Sequence, residues 1–411
     1  MPTSRGWAAA AVGTCVWIAA RVLGSSDLHL VAAGLLVLPL VTALYVRFAR
    51  VRLSIRRQIA PTRIFAGSRT KVSLRIENLG NQTSPFLLLE DVIPPDLGRS
   101  ARLVGSGIPP RNHLETSYTV VGRRRGKYYV GPLKIFMTDP FGLARTAIES
   151  SGRSELLIYP QVEDIDVSHL LSQGVGSGES TARQLHRTAA EFYTMREYVT
   201  GDDLRRIHWP SVAKTGQLMI RQDESTRRST ATIFLDNRNE ILGPAGSAAF
   251  ERAVSVAASL GGAFVRAGFA THLATAEGSP HPVSEDALLE TLASVTLTQG
   301  RRTTDVLKGL RSGSLADTTL AFASAPPVGS DLPSVIRMGA SFGRKLAVLV
   351  YPVDPASLAS PAGDELRGRA SAAQASLTRA GWEVYVLSPD ERLGDKWQRT
   401  TKKLRVGAFS A

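Results

Sequence analysis

The sequence predicts a multidomain chain: an amino-terminal transmembrane helical hairpin, an antiparallel β-sandwich, and an α/β domain with a mostly parallel sheet. Three observations carry this. Two long apolar segments lie close together near the amino terminus. Short runs with period-two alternation, separated by turn residues, fill residues 51–160. From residue 230 onward, apolar runs alternate with segments of helical spacing. The resulting divisions are a hairpin over 1–50, a sandwich over 51–160, a linker and motif segment over 161–229, and the α/β domain over 230–411.

The second apolar segment is the clearer of the two. No Asp, Glu, Lys or Arg occurs from Leu28 to Val46. Twenty helical residues at about 1.5 Å each span roughly the 30 Å of a bilayer core. Pro39 is tolerable in such a helix, and Tyr45 stands where aromatic rings favour the interface. The first segment, Trp7 to Gly24, is rich in Ala and Gly and ends near Arg21. A cleaved leader is its alternative reading, but the closely following second span favours a hairpin. The expected lipid contacts are residues 7–24 and 28–48. Arg47, Arg50, Arg52, Arg56 and Arg57 follow the second span, whereas the loop between the spans carries only Arg21. The positive-inside rule therefore puts the rest of the chain in the cytoplasm, against the inner membrane.

Composition bounds the function. The chain has 411 residues, 43% apolar and 21% charged, with a net charge of +13. That is globular composition, and it excludes collagen-like and wholly disordered classes. One cysteine, Cys15, excludes an intrachain disulfide. The basic excess suits an acidic partner surface, and the juxtamembrane arginines account for part of it.

Within residues 51–160, the predicted strands are Val72–Asn78, Phe86–Ile93, Leu114–Val121, Lys127–Met137 and Glu155–Pro160, punctuated by NLGN, IPPD, GSGIPPRN and DPFG. Residues 161–190 include SQGVGSGESTARQ and read as a flexible linker, without the Gly-Lys-Ser/Thr ending of a phosphate loop. After residue 230 come the strand Ala231–Asp236, a helix over Ser247–Ala267, and further alternating strands and helices to WEVYVLS.

The densest unusual stretch is Glu191 to Glu224. It holds Phe192, Tyr193, Tyr198 and Trp209 beside Arg196, Arg205, Arg206 and Arg221 and the acids Glu197, Asp202, Asp203 and Asp223. Gly201-Asp202-Asp203 reads as a turn into a short helix, capped by Asp202 or Asp203. Arg205, Arg206 or Arg196 is expected to pair with a carboxylate, and Trp209 to be mostly buried. A structural clasp is the favoured reading. A hydrolase using Asp202 and Asp203 and a nucleic-acid binder are the alternatives. Neither a helix-turn-helix nor an RNA-binding aromatic motif is present. The seven histidines show no His-x-x-x-His spacing, and no cofactor motif is found.

The pattern Arg196, Tyr198, Gly201, Asp202, Arg205, Ile207 and Trp209 resembles the signature of the domain-of-unknown-function-58 family. Arg123 to Leu143, with its Arg-Gly-x-Tyr, Gly-Pro and Asp-Pro-Phe-Gly-Leu elements, is similar to the family's preceding strand pair. The resemblance implies a bacterial membrane-anchored protein that is not an enzyme. It implies a scaffold or adaptor working with a MoxR-type AAA+ ATPase in envelope-related protein assembly or maturation. It also implies a carboxy-terminal domain similar to a von Willebrand factor type A domain. Such domains often hold Mg²⁺ on Asp-x-Ser-x-Ser after the first strand. Here Asp236 remains, but Arg238 and Glu240 replace the serines. A degenerate site without metal is therefore expected.

Overall fold

The computed structural model describes residues 2–48, 52–84, 86–105, 107–139, 141–168, 170, 193–199, 202, 204, 207–223, 229–244, 246–300, 303–308, 310, 318–327, 329–352, 360–388 and 391–399. The chain divides into two compact units. One comprises residues 1–162 and 289–296, the other residues 163–288 and 297–411.

The first unit opens with helices α1 (Ser4–Leu23) and α2 (Ser26–Phe48). Both are long and apolar enough to cross a membrane. They pack on each other, with Gly13 facing Leu35 and Leu36. Their outer faces leave apolar side chains exposed, among them Ile18, Val22, Leu30 and Leu40. Thr3 caps α1 by accepting the Gly6 N–H at 3.2 Å, and Gly24 ends it in the left-handed region.

Ten strands follow: β1 (Leu53–Ala60), β2 (Arg63–Phe65), β3 (Arg69–Asn78), β4 (Phe86–Asp91), β5 (Ala101–Gly105), β6 (His113–Val121), β7 (Gly126–Val130), β8 (Leu133–Thr138), β9 (Arg145–Ser150) and β10 (Ser154–Tyr159). They form three sheets, ordered β1-β3-β6, β5-β4-β8-β9 and β2-β10-β7. All pairings are antiparallel except that of β10 with β2. Alternation along β3 and β8 sends every second side chain inward. Leu74 and Ile76 of β3 thereby meet Leu87, Leu89, Leu133, Ile135 and Met137 in one core. A second core gathers Val72, Val120, Val130, Leu156 and Ile158.

The predicted strand Lys127–Met137 is in fact two. Gly131 adopts φ +110°, and Pro132 has no N–H to give a ladder. The chain turns there, so β7 pairs with β10 while β8 joins β4 and β9. Arg57 also departs from its juxtamembrane assignment. Its side chain is buried and forks onto Asp91 at 2.5 and 3.1 Å. Tyr118 donates to the same carboxylate at 2.6 Å, and Arg57 reaches the Gly152 carbonyl at 2.8 Å.

In the second unit, β11 (Tyr193–Glu197) pairs antiparallel with β12 (Met219–Asp223), and α3 (Trp209–Thr215) lies between them in sequence. The remaining strands are β13 (Thr230–Leu235), β14 (Ala270–Thr275), β15 (Gly278–Pro282), β16 (Thr318–Ser324), β17 (Arg344–Val350) and β18 (Glu383–Leu387). They build one sheet ordered β15-β14-β13-β16-β17-β18, parallel except for β15. Counted from β13, that order is 3-2-1-4-5-6, a doubly wound arrangement. β13 and β16 are buried almost throughout, which explains their unbroken apolar runs. Phe234 and Phe322 stack at 5.4 Å between centroids at the core.

The helices of this part of the chain are α4 (Asn239–Leu242), α5 (Ala248–Arg266), α6 (Glu285–Ser294), α7 (Thr303–Lys308), α8 (Asp331–Gly339) and α9 (Pro361–Arg379). Helix α5 is also long and apolar enough to span a membrane, but it is buried against β13, β14 and β16. Residues 163–170 differ from the linker reading. Ile165, Val167 and Leu170 are buried, and the Trp397 indole donates to the Asp166 carbonyl at 2.7 Å. The Gly/Ser-rich stretch of residues 171–192 lies outside the described residues.

Candidate functional site

In a doubly wound sheet, the crevice lies where the strand order reverses, outside the carboxyl ends of the strands. Here that point falls between β13 and β16. Asp236 directly follows β13, and its N–H donates to the Ala323 carbonyl at 2.9 Å. Both carboxylate oxygens then receive Arg238: Nε to Oδ1 and Nη2 to Oδ2, each at 2.7 Å. Ser324, the last residue of β16, donates to Oδ2 at 3.1 Å. Arg238 Nη1 donates to Thr303 Oγ1 at 2.5 Å, and Nη2 lies 3.8 Å from Asp331 Oδ2. Asp236, Thr303 and Asp331 thus surround one guanidinium, and Ser324 backs the Asp236 carboxylate.

The cluster is dry. Asp236 is 2% exposed and Arg238 6%. Burial alone would push the Arg238 guanidinium down. The hydrogen bonds and charge of Asp236, with the charges of Asp331 and Glu240, hold it above its ordinary value. Glu240 faces outward and accepts the Gly300 N–H at 3.0 Å. That bond keeps its carboxyl below the usual value. Asn237 is fully buried and accepts the Ala276 N–H at 2.9 Å. A small cavity of about 140 Å³ opens nearby, lined by Glu240, Ala325, Tyr351 and Arg369 among others.

A divalent cation fits this donor set poorly. It needs free oxygen ligands, and both Asp236 oxygens are already bonded to a guanidinium. A second cation would also face the charge of Arg238. Among the described residues, no group of three or more His, Cys, Asp or Glu side chains is placed to hold a metal. Asp236 and Arg238 are two positions apart in sequence and visible there. Thr303, Ser324 and Asp331 are the members that the sequence reading missed.

The signature segment forms a separate feature. Register pairs Arg196 with Ile220, and Ile207 bridges the same Ile220 from the other side. Tyr198 N–H donates to the Leu218 carbonyl at 2.8 Å and His208 N–H to the Met219 carbonyl at 2.9 Å. Backbone pairing therefore brings residues 198–199 and 208–209 beside 218–219. The turn that Asp202 is expected to cap runs into Asp203, Arg205 and Arg206, outside the described residues, but Asp202 itself is placed. Its carboxylate accepts the Val199 N–H at 3.0 Å, closing its own turn. The residue before α3 is His208, whose ring bonds Ser211 at 2.9 Å. Gly201, Asp203, Arg205 and Arg206 lie outside the described residues, as does the side chain of Arg196.

Trp209 overturns its expected burial: it is 66% exposed at the start of α3, a helix that buries none of its residues. Proline at the second helical position orients that first turn without supplying a core contact. Val199, Leu204 and Leu218 are exposed too. The segment presents apolar side chains outward.

The family described as "Protein of unknown function DUF58" matches this chain over residues 194–295. The chain is 25% identical over 211 residues to "Uncharacterized protein YeaD" of Bacillus subtilis (strain 168), covering 50% of this chain and 51% of that protein. It thus spans about half the length of that curated relative. Among solved structures, it is similar to the CARDB domain of the PF1109 protein from Pyrococcus furiosus at TM-score 0.20 and 10% identity, over 26% of this chain and 93% of that one. It is also similar to the alkylpurine DNA glycosylase AlkC of Pseudomonas fluorescens at TM-score 0.19 and 15% identity, over 32% and 39%. The similarity to DUF58 covers both β11–β12 and the Asp236–Arg238 loop.

Proposed function

We propose that this chain is a membrane-anchored scaffold or adaptor that acts with a MoxR-type AAA+ ATPase in envelope-related protein assembly or maturation, and that it is not an enzyme. Its carboxy-terminal unit is read as a von Willebrand type A-like module. The 3-2-1-4-5-6 strand order and an aspartate after the first strand support that reading. The cation position of such a module is taken here by Arg238. The observation that carries the functional reading is the exposed Trp209. A large aromatic turned to solvent, flanked by Val199, Leu204 and Leu218, suits protein capture better than chemistry. The ATPase is the partner that the resemblance of the signature segment implies.

The test uses the full chain reconstituted in vesicles and the MoxR-type ATPase encoded by the same genome. Trp209→Ser removes an exposed side chain, so melting should change by no more than about 0.5 kcal/mol. ATPase binding should weaken by about 30-fold, the equivalent of a hot-spot tryptophan worth about 2 kcal/mol. Unchanged binding, or no binding by the unaltered chain, refutes the proposal.

A further inference from the structure

The Asp-Pro-Phe-Gly-Leu element found in the sequence has a defined place. It is the turn between β8 and β9, and Asp139 holds it together. The Asp139 carboxylate accepts the Ala144 N–H at 2.6 Å and the Phe141 N–H at 3.0 Å, and the Gly142 N–H donates to the Asp139 carbonyl at 3.0 Å. Asp139 and Ala144 are buried. The turn is therefore fixed from inside, yet Phe141 at its tip is 61% exposed.

The same turn grips the start of α1. Thr3 N–H donates to the Leu143 carbonyl at 2.8 Å, its hydroxyl donates to the Gly142 carbonyl at 2.7 Å, and Pro2 bridges Ala144. Gly6 lies so close that a Cβ there would collide with the Leu143 carbonyl oxygen. β9, which continues from the turn, also packs against α2.

These contacts set the height of Phe141. Only Gly142 separates it from Leu143, so its Cα lies within roughly 7 Å of chain from the residue that holds the first turn of α1. One helical turn is about 5.4 Å long, and a span of twenty residues covers about 30 Å. Phe141 therefore sits at the level where α1 enters the bilayer. Trp7, one turn into α1, is 66% exposed at that level. Aromatic rings collect at this depth because their apolar faces and polar edges match the headgroup boundary.

We propose that Phe141 is a membrane contact of the β-rich unit: its ring enters the headgroup interface beside Trp7, and the Asp139–Leu143 turn seats that unit on the lipid surface. The inference rests on α1 and α2 crossing a bilayer. Its test uses the full chain with Cys15→Ala and one new cysteine, Phe141→Cys or Leu38→Cys, carrying an environment-sensitive fluorophore. Each protein is reconstituted in vesicles of phosphatidylethanolamine and phosphatidylglycerol. Lipids with a nitroxide high on the acyl chain should strongly quench the label at 141, and aqueous iodide should not. The label at 38, midway along α2, should respond to nitroxides placed deep in the chain. Iodide quenching at 141 with a lipid-buried label at 38 overturns this inference alone. Iodide quenching at both positions overturns the membrane anchor itself, and this contact with it.

Discussion

Arg238→Ala removes the one cation bonded to Asp236 among the described residues, and its cost follows from burial. The carboxylate is 2% exposed, so water does not replace the lost guanidinium. Ser324 remains as a donor at 3.1 Å, one hydrogen bond in place of three. Breaking a buried pair by removing one partner costs about 3–5 kcal/mol, because the other charge is left uncompensated. An exposed pair would be worth about 0–1 kcal/mol. For a domain of this size, 1 kcal/mol moves Tm by about 2–4 °C, so the unit should melt about 6–20 °C lower. The assay is calorimetry on the full chain in detergent micelles. Replacing both members, Asp236→Leu with Arg238→Met, should recover most of the loss. Millimolar Mg²⁺ should leave the unaltered protein's Tm unchanged, since both Asp236 oxygens are already bonded to a guanidinium. A Tm shift within about 2 °C for Arg238→Ala would refute the reasoning, because it would mean that the cluster is solvated.

Two further outcomes are expected. Asp91→Ala strands Arg57, whose side chain is 5% exposed, and should cost about 3–5 kcal/mol, whereas Tyr118→Phe loses one bond to a charged acceptor and should cost about 1.5–3 kcal/mol. Equal losses in thermal melts would show that the tyrosine, not the ion pair, carries the site. Burial, followed by the bond to Asp91, holds the Tyr118 phenol above its ordinary value, so this comparison is unaffected by alkaline titration near neutrality. Glu240 is held below its usual value by the Gly300 N–H, so its stabilising contribution is present above the unfolded-state value and disappears as pH falls through the folded one. Glu240→Gln should therefore flatten the acid limb of a stability–pH profile and leave its slope near neutrality unchanged. An unaltered acid limb would exclude the Gly300 bond as its source.

What the sequence made legible was local. The two apolar helices follow from uninterrupted runs of the right length, and the parallel sheet from strand–helix alternation. The break between β7 and β8 was written in Gly131-Pro132, although the apolar pattern on either side reads through it. At the switch point, Asp236 and Arg238 are two residues apart, so a cation in a ligand position could be read directly. Thr303 and Ser324 reach the same cluster from sequence separations of 65 and 88, and no local pattern marks them. Arg57 shows the same limit. Charge counting assigns it to the lipid headgroups, but its partner Asp91 comes from strand β4, and the Tyr118 that donates to the same carboxylate from β6.

Trp209 shows why residue type alone misleads about burial. Large aromatics are usually interior because burial removes much apolar area from water, and that prior assigns Trp209 to the core. The prior fails when the helix carrying the residue has no apolar face to bury. Helix α3 is one short element, Trp-Pro-Ser-Val-Ala-Lys-Thr, and it buries no residue. Ile220 supplies the inward anchor of this segment instead, at 3% exposure and flanked by Arg196 and Ile207 in register. Asp202 adds a local tie, its carboxylate accepting the backbone N–H of Val199 three residues earlier. With Ile220 anchoring the segment and Asp202 closing its turn, Trp209 is free to face outward. Val199, Leu204 and Leu218 are exposed with it, so the described apolar side chains of this segment, Ile220 apart, lie largely on its outside.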